Sequence, residues 1–412
     1  MMDNIKKVPR LRFKEFSGGE TKLFTIKDIA NIQVGRDLKE DSFSEIKTDK
    51  YCYPVYSNTV ENSGLYGFYD FEEYDGNSLT VVGRGAGLGI AFSRNSGFGA
   101  IGRLLVISPK NNEFNVHYFS EYVNFKLRIH NESGGIPQLP GSTFGNYTIF
   151  LPSIQEQTKI ANFLTAIDDK ITNLTQKVEL LTRYKKGVMQ HIFSQQLRFK
   201  DDDGLAFPEW EEKKFGEIFS FRTTNSFSRE NLNYDNGSIK NIHYGDIHTK
   251  FSTLFDITKE IVPFVNSEIE LGRIAEDNYC KTGDLILADA SEDYEDVGKC
   301  IEIINLDNEK VLSGLHTILA RPDFYKTYVG FSGYLMKSND VRFQIKIIAQ
   351  GSKVLSISSK RLSELNLIVP TIPEQTKIAN FLTALDDKLT NTRTKLDTMK
   401  QYKQSLLQQL FV

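Results

Sequence analysis

The chain repeats itself across a long interval. Residues 156–166 read Glu-Gln-Thr-Lys-Ile-Ala-Asn-Phe-Leu-Thr-Ala, and residues 374–384 read the same eleven letters 218 positions later. The match continues as Ile167-Asp168-Asp169-Lys170 against Leu385-Asp386-Asp387-Lys388, and Thr172-Asn173 returns as Thr390-Asn391. Chance does not produce such a run, so the fold must use one structural unit twice.

Both copies read as long helices. Ser153-x-x-Glu156 and Thr371-x-x-Glu374 have capping-box spacing, in which hydroxyl and carboxylate satisfy the open N–H groups of a first turn. Pro152 and Pro370 end the strand-like runs Tyr147–Leu151 and Leu365–Val369, and Gly187 is the one breaker further along the first helix. Apolar residues then fall at alternating intervals of three and four. In the first copy these are Ile160, Leu164, Ile167, Ile171, Leu174, Val178, Leu181, Val188 and Ile192; in the second they are Ile378, Leu382, Leu385, Leu389, Leu396, Met399, Leu406 and Leu410. That spacing is a coiled-coil seam. Lys185 and Lys403 break it at equivalent points, each preceded by a tyrosine, Tyr184 or Tyr402. At 1.5 Å per residue, some 40 residues make a rod roughly 60 Å long. Two related seams predict antiparallel pairing of the helices and a pseudo-twofold relation between the halves.

A second anchor recurs at a different interval. Leu11-Arg12-Phe13-Lys14 returns as Leu197-Arg198-Phe199-Lys200, 186 residues on. The anchor therefore precedes the Glu-Gln-Thr-Lys run by 145 residues in the first half and by 177 in the second. A fixed frame holds two different contents, which divides the chain into a head (1–151), a helix (152–196), a second head (197–369) and a second helix (370–412). Each head is rich in β-branched and aromatic runs punctuated by turn residues. Leu79–Val82, Leu104–Ile107, Asp284–Leu287 and the stretch from Val311 read as strands, and Tyr118–Lys126 and Val341–Ala349 as short helices. The class is α+β, with two mostly β heads. Ser133 to Gln138 and Gly351 to Ser356 form small-residue loops just before the last strand of each head.

Length and composition set the outer limits. A chain of 412 residues exceeds one ordinary domain, and 40% apolar with 25% charged residues is usual for a folded soluble protein. Cys52, Cys280 and Cys300 are too few and scattered for a disulfide framework, pointing to a reducing cytoplasm. Met1 to Arg10 has no apolar core for a signal sequence, and no uncharged apolar run is long enough to span a bilayer. A formal charge of −3 excludes nucleic-acid binding by bulk basicity, so any such binding must be local.

No catalytic constellation emerges. Gly83-Arg84-Gly85-Ala86-Gly87-Leu88-Gly89 invites a nucleotide loop, but Ile90 to Gly97 reads as strand and turn where a dinucleotide fingerprint needs a helix. A tight β connection is the better reading. There is no phosphate-binding loop of the G-x-x-x-x-G-K-[ST] type. His243 and His248 have no third ligand nearby in sequence, so no metal site is expected. Glu45-x-Lys47 and Glu211-x-Lys213 echo a nuclease motif only as faintly as any charged surface does.

The order head, helix, head, helix, with Pro152 to Asp169 returning as Pro370 to Asp387, resembles the specificity subunit of type I restriction-modification systems. Tyr53-Pro54-Val55-Tyr56-Ser57-Asn58, Gly64-x-Tyr66-Gly67-x-Tyr69 and Gly245-Asp246-Ile247 are similar to segments of that family's heads. The acid-rich Glu292 to Asp296 departs from it, being an odd surface to press against DNA. The resemblance implies two target recognition domains reading an asymmetric, two-part site in double-stranded DNA, with the helices fixing the gap. It implies docking of two methyltransferase subunits and of motor-nuclease restriction subunits. S-adenosylmethionine, ATP and Mg would serve those partners, and this chain would hold no cofactor and perform no chemistry.

Base-reading candidates are polar or basic residues placed on turns: Arg36, Asn58, Arg84, Arg94 and Gln138 in the first head, and Arg222, His243, Lys250, Ser291, Gln350 and Lys353 in the second. Two other readings stay open. A stand-alone DNA-modifying enzyme lacks a motif, and a coiled-coil adaptor with two protein-binding heads would bind no DNA sequence.

Overall fold

A computed structural model describes residues 8–129, 135–272 and 274–412. Ser133 and Gly134 of the first small-residue loop, and most of the polar N-terminus, lie outside the described residues. Contacts group the chain into two units, Met1–Thr175 with Thr394–Val412, and Gln176–Arg393. Each unit thus holds one head, part of the first long helix (Ile154–Phe193) and part of the second (Ile372–Leu410).

Within each unit, residues of the two long helices share an apolar cluster. In the first, Ile160, Leu164 and Ile167 pack in one apolar cluster with Leu406, Leu407, Leu410 and Phe411, with Ile171 and Met399 at its edge. Ascending numbers on one helix meet descending numbers on the other, so the helices are antiparallel there. Leu174 and Leu396 are also buried in this unit. In the second unit Ile378 and Leu382 join Val188, Met189 and Ile192, with Leu385 partly buried against them. Leu389 is buried, while Val178 and Leu181 are half-buried. Thr392 fills the seam position left open between Leu389 and Leu396: it is 5% exposed, and its hydroxyl donates to the Lys388 carbonyl at 2.7 Å. That local bond satisfies the polar group the seam would otherwise strand.

The two heads share one topology despite their different sequences. In the first head the strand order of the larger sheet is 30–34, 105–109, 78–81, 91–94. The second head repeats it as 219–222, 317–322, 285–288, 300–305 and adds 254–256 at the edge. A smaller sheet runs 43–44, 65–69, 53–56, 99–100 in one and 232–233, 264–265, 240–242, 311–313 in the other. A strand pair closes each head, Lys22–Thr25 with Thr148–Leu151, and Glu211–Lys214 with Asn366–Val369. The expected helices occur at Val116–Lys126 and Asn339–Ile348.

Head and helix meet through the two repeated motifs, which touch each other in both units. Arg12 Nε donates to Glu156 at 2.8 Å, and Arg198 donates to Glu374 at 3.2 and 2.8 Å. Phe13 stands edge-on to Phe163, and Phe199 edge-on to Phe381. Gln157 donates to the Pro152 and Glu113 carbonyls and accepts from the Asn115 N–H; Gln375 does the same with Pro370, Lys326 and Tyr328. Lys159 pairs with Glu15, and Lys377 with Asp202 at 2.7 Å. The capping-box reading is corrected here. The Ser153 hydroxyl accepts from the Glu156 N–H at 3.3 Å, but the Glu156 and Glu374 carboxylates turn to the arginines, and the Thr371 hydroxyl has no hydrogen-bond partner. A guanidinium offers a stronger, two-pronged bond than a backbone N–H.

The Leu11 N–H donates to the Gln409 carbonyl at 3.1 Å, and the Leu197 N–H to that of His191 at 3.0 Å. Each head thus starts from the last turns of a long helix. For the second head that helix precedes it in the chain; for the first, it is the helix that ends the chain's second half.

Candidate nucleic-acid interface

The shared topology allows the heads to be matched position by position. In the first head the Val82 N–H bonds the Ile90 carbonyl and the Gly89 N–H bonds that of Val82; in the second, Ala288, Lys299 and Gly298 repeat the pattern. The Leu139 N–H reaches the Gly83 carbonyl at 2.9 Å, as Ile357 reaches Asp289 at 2.9 Å. The Arg36 N–H reaches the Ala100 carbonyl at 2.9 Å, as Asn225 reaches Ser313 at 3.0 Å. Arg103 (φ 70°) and His316 (φ 55°) occupy the same left-handed turn. Such a conformation costs a residue with a Cβ of order 1 kcal/mol or more and survives where the surroundings over-determine it.

In the first head this frame gathers arginines. Arg36, Arg84 and Arg103 line one recess together with Val34, Asp37 and two glycines. The three come from separate segments, and backbone locks bring them together. The Asn58 side chain accepts from the Gly83 N–H at 2.8 Å and donates to the Gly102 carbonyl, tying the residue before Arg84 to the residue before Arg103. A Cβ on Gly83 would come within 2.5 Å of the Arg103 carbonyl, so only glycine lets these turns approach so closely. The Gly102 N–H donates to the Arg36 carbonyl at 3.1 Å. Gln138 pairs with Arg84 in an isolated bridge and is exposed. The Arg36 side chain is 66% exposed, with Glu73 at 3.8 Å.

Of the five first-head candidates, Arg36, Arg84 and Gln138 are exposed around this recess and Asn58 is its brace. Arg94 is elsewhere. It ends the strand Ala91–Arg94 and is 7% exposed; it donates to Thr80 at 3.0 Å and to the Ser63 carbonyl at 2.7 Å, and stacks on Tyr56. Burial pushes its pKa down to about 10. A turn-like sequence context hides a residue turned inward. Arg103 escapes the sequence reading, although Gly102-Arg103 repeats the Gly83-Arg84 pair; nothing in a sequence announces a positive φ on arginine.

The second head fills the same frame differently. Asn225, Ala290 and His316 stand where Arg36, Arg84 and Arg103 stand in the first. The imidazole of His316 lies 3.3 Å from Asp289 and edge-on to Tyr244. His243 is 6% exposed and caps the short helix Tyr244–Thr249, its Nδ1 accepting from the Gly245 N–H at 3.1 Å; burial lowers its pKa. Lys250, half-exposed, pairs with Asp246 and Tyr234 at 2.9 Å each. Arg222 pairs with Asp277 at 2.6 Å. Ser291 pairs with Leu355, and Gln350 bridges Ser356, so Ser291, Gln350 and the exposed Lys353 gather on one loop cluster.

The acid-rich segment takes the place of the first head's glycine loop. Between the paired positions, residues 83–88 in one head correspond to 289–297 in the other, both closed by a left-handed glycine, Gly89 (φ 86°) or Gly298 (φ 67°). The glycine run is thus a β connection, as its flanks indicate. Arg342 donates to the Glu295 and Val297 carbonyls at 3.0 and 2.7 Å, and Lys346 pairs with Glu295, fastening the acidic loop to the helix Asn339–Ile348.

One group among the described residues has metal-ligand character: atoms of His117, Glu121 and Asp168 lie within 4.8 Å of one another. The Lys403 ammonium sits 3.1 Å from Glu121 and 2.8 Å from Asp168, and so supplies the positive charge there. All three cysteines are free thiols. Among the described residues no helix is long and apolar enough to cross a membrane.

Comparison with known proteins agrees with this architecture. The family described as "Type I restriction modification DNA specificity domain" matches residues 19–183 and again 208–401. A Mycoplasma pneumoniae protein described as a type I specificity subunit is 32% identical over 169 residues; the match covers 40% of this chain and 45% of that protein. The chain thus spans about half the length of that relative. The type I restriction enzyme MjaIX specificity subunit of Methanocaldococcus jannaschii is 22% identical, with 98% of this chain and 88% of the relative covered. The crystal structure of a type I restriction-modification S subunit from M. genitalium superimposes with a TM-score of 0.64 at 17% identity, covering 98% of this chain and 99% of that one. That likeness is one of fold.

Proposed function

Because the chain belongs to the type I restriction-modification DNA specificity family, we propose that it is the subunit that reads DNA sequence for a methylating and restricting complex and performs no chemistry itself. The observation that carries this reading is the pairing of sameness and difference in the heads. Both have one strand order and one set of clamps to the long helices, yet equivalent positions carry the exposed Arg36, Arg84 and Arg103 in one and Asn225, the buried Ala290 and the exposed His316 in the other. A scaffold that presents two different polar surfaces suits a two-part, asymmetric site in double-stranded DNA, read in the major groove where each base pair shows its own donors and acceptors.

The domains follow the frame of the motifs: target recognition domains over 1–151 and 197–369, and spacer helices over 152–196 and 370–412. The seam from Ile160 to Leu181 and from Ile378 to Met399 pairs the helices, which set the number of unread base pairs between the halves. Two methyltransferase subunits dock on this scaffold, and restriction subunits join them. S-adenosylmethionine, ATP and Mg belong to those subunits. The base-facing side chains are drawn from Arg36, Arg84 and Gln138 in the first head and from Ser291, Gln350, Lys353, Lys250 and Arg222 in the second.

Sequencing of modified bases in host DNA, with and without the gene, tests the proposal. A split motif with a fixed gap and one methylated adenine per half should vanish with the gene. An unchanged methylation pattern, with the methyltransferase partner expressed, would overturn DNA reading and favour a protein adaptor.

A further inference from the structure

We propose that Arg84 and Arg103, with Arg36 beside them, read guanine in the half-site taken by the first head, from positions that the second head fills with Ala290, His316 and Asn225. The inference rests on the DNA-reading function proposed above and specifies its chemistry.

Three observations carry it. The arginines come from three segments far apart in sequence, and side-chain and backbone bonds of Asn58, Gly83 and Gly102 hold those segments together. A planar fork held on a fixed turn is suited to bidentate recognition, and the O6 and N7 acceptors of guanine are its commonest partner among base edges. Arg103 stands on the left-handed turn that both heads share, so its backbone is fixed by the fold and only the side chain differs from that of His316. Finally, the same frame in the second head carries no arginine at these positions. Residues that grip phosphate meet the same chemistry in both half-sites and have no reason to differ in this way. Residues that meet different bases must differ. The acidic carboxylates at hand, Asp37 in the recess and Glu73 at 3.8 Å from Arg36, leave the trio in excess.

The test replaces the host gene with alleles carrying Arg84→Ala or Arg103→Gly, the glycine keeping the turn, and sequences the modified bases. In each allele one guanine of one half-site should become degenerate, in the same half for both, with the other half and the gap unchanged. An allele that abolishes methylation is examined as purified complex on duplexes in which each guanine of the motif is replaced in turn by 7-deazaguanine, which lacks N7. Wild-type complex should lose about tenfold or more in affinity at a guanine read through N7, and the variant should lose nothing further at that guanine. Unaltered motif letters, relaxation at a base other than guanine, or equal losses in wild type and variant would overturn the proposal. So would a uniform fall in affinity for all sequences, the mark of phosphate contacts. A wild-type gene that directs no split motif would instead refute the DNA-reading function itself.

Discussion

Lys403 lies 2.8 Å from Asp168 across the seam of the first unit, and the second unit repeats the pair with its members exchanged, Lys185 against Asp386. Each lysine sits where the heptad calls for an apolar residue, and each meets the aspartate that lies 218 positions from its counterpart's partner. Tyr334 adds a hydrogen bond to Asp386 at 2.7 Å, and Glu121 adds a second carboxylate to Lys403 at 3.1 Å. Burial opposes the charge on Lys403, but Asp168 and Glu121 outweigh it and raise its pKa. A charged pair at a seam fixes register, because a slip would bury the lysine alone.

Replacing Lys403 with Met should therefore destabilise the protein by about 1–2 kcal/mol, less than a fully buried pair would cost, because Asp168 keeps a third of its side chain in solvent. Adding Asp168→Asn should recover part of the loss. Denaturant unfolding of the two single variants and the double checks this; strictly additive effects would show that the pair is not coupled.

The clamp between head and helix should be costlier to break. Glu374 has no exposed side-chain surface and is held by Arg198 and Trp210. Arg198→Ala strands its carboxylate and should cost about 3 kcal/mol or more. Glu209→Ala, which removes the exposed partner of the same arginine, should change stability by under about 0.5 kcal/mol. Thermal unfolding of both variants separates the two contributions, and similar losses would contradict this account.

Leu174→Asp and Leu396→Asp each place a carboxylate at a position under a tenth exposed. A loss of about 3 kcal/mol or more is expected, with failure to assemble with partner subunits. Leu180→Asp, on the open face and 61% exposed, should leave the unfolding midpoint nearly unchanged. Normal stability of the Leu174 and Leu396 variants would sink the seam assignment.

Stability should also depend on pH through Glu302. Burial pushes its pKa up to about 7, although the N–H groups of Gly330 and Gly333 donate to its carboxylate at 2.6 and 2.7 Å. Between the unfolded-state value near 4.5 and about 7, the native chain holds a proton that the unfolded chain has released. Stability then falls as pH rises through that window, by up to about 1.4 kcal/mol per unit, and levels off above it. Glu302→Gln should flatten this stretch of the profile, as read by unfolding at pH 5 through 8. An unaltered slope would assign the dependence to other groups.

Sequence alone displays the frame more fully than the contents. The helices and their seam follow from periodicity, which survives in any one sequence because packing imposes it every three or four residues, and the antiparallel expectation rests on the recurrence of one seam in both halves. Thr392 is easily passed over because its polarity masks a seam position. The contact between Arg12 and Glu156 is not legible, since the motifs recur at different intervals and proximity in space leaves no mark on a single chain. The likeness of the heads is equally hidden. Strand order is carried by backbone pairing, which Gly83 and Asp289 serve equally well. Surface candidates fare according to backbone direction: Arg84 and Arg94 both neighbour glycine-rich turns, yet one side chain points out and the other in.

The clamp has a consequence for how such a chain changes over generations. Each stretch between a Leu-Arg-Phe-Lys anchor and the next Glu-Gln-Thr-Lys run meets the scaffold through the same arginine, phenylalanine and glutamine contacts, to which the first head adds Glu121 against Lys403 and the second Tyr334 against Asp386. A stretch of gene cut at those two points is therefore a cartridge. Exchange of one cartridge for another by recombination alters one surface in a single step and leaves the seam, the register lysines and the other head as they were. Under the proposed function, such an exchange would change the half-site read by one head while the clamps that hold it stay in place.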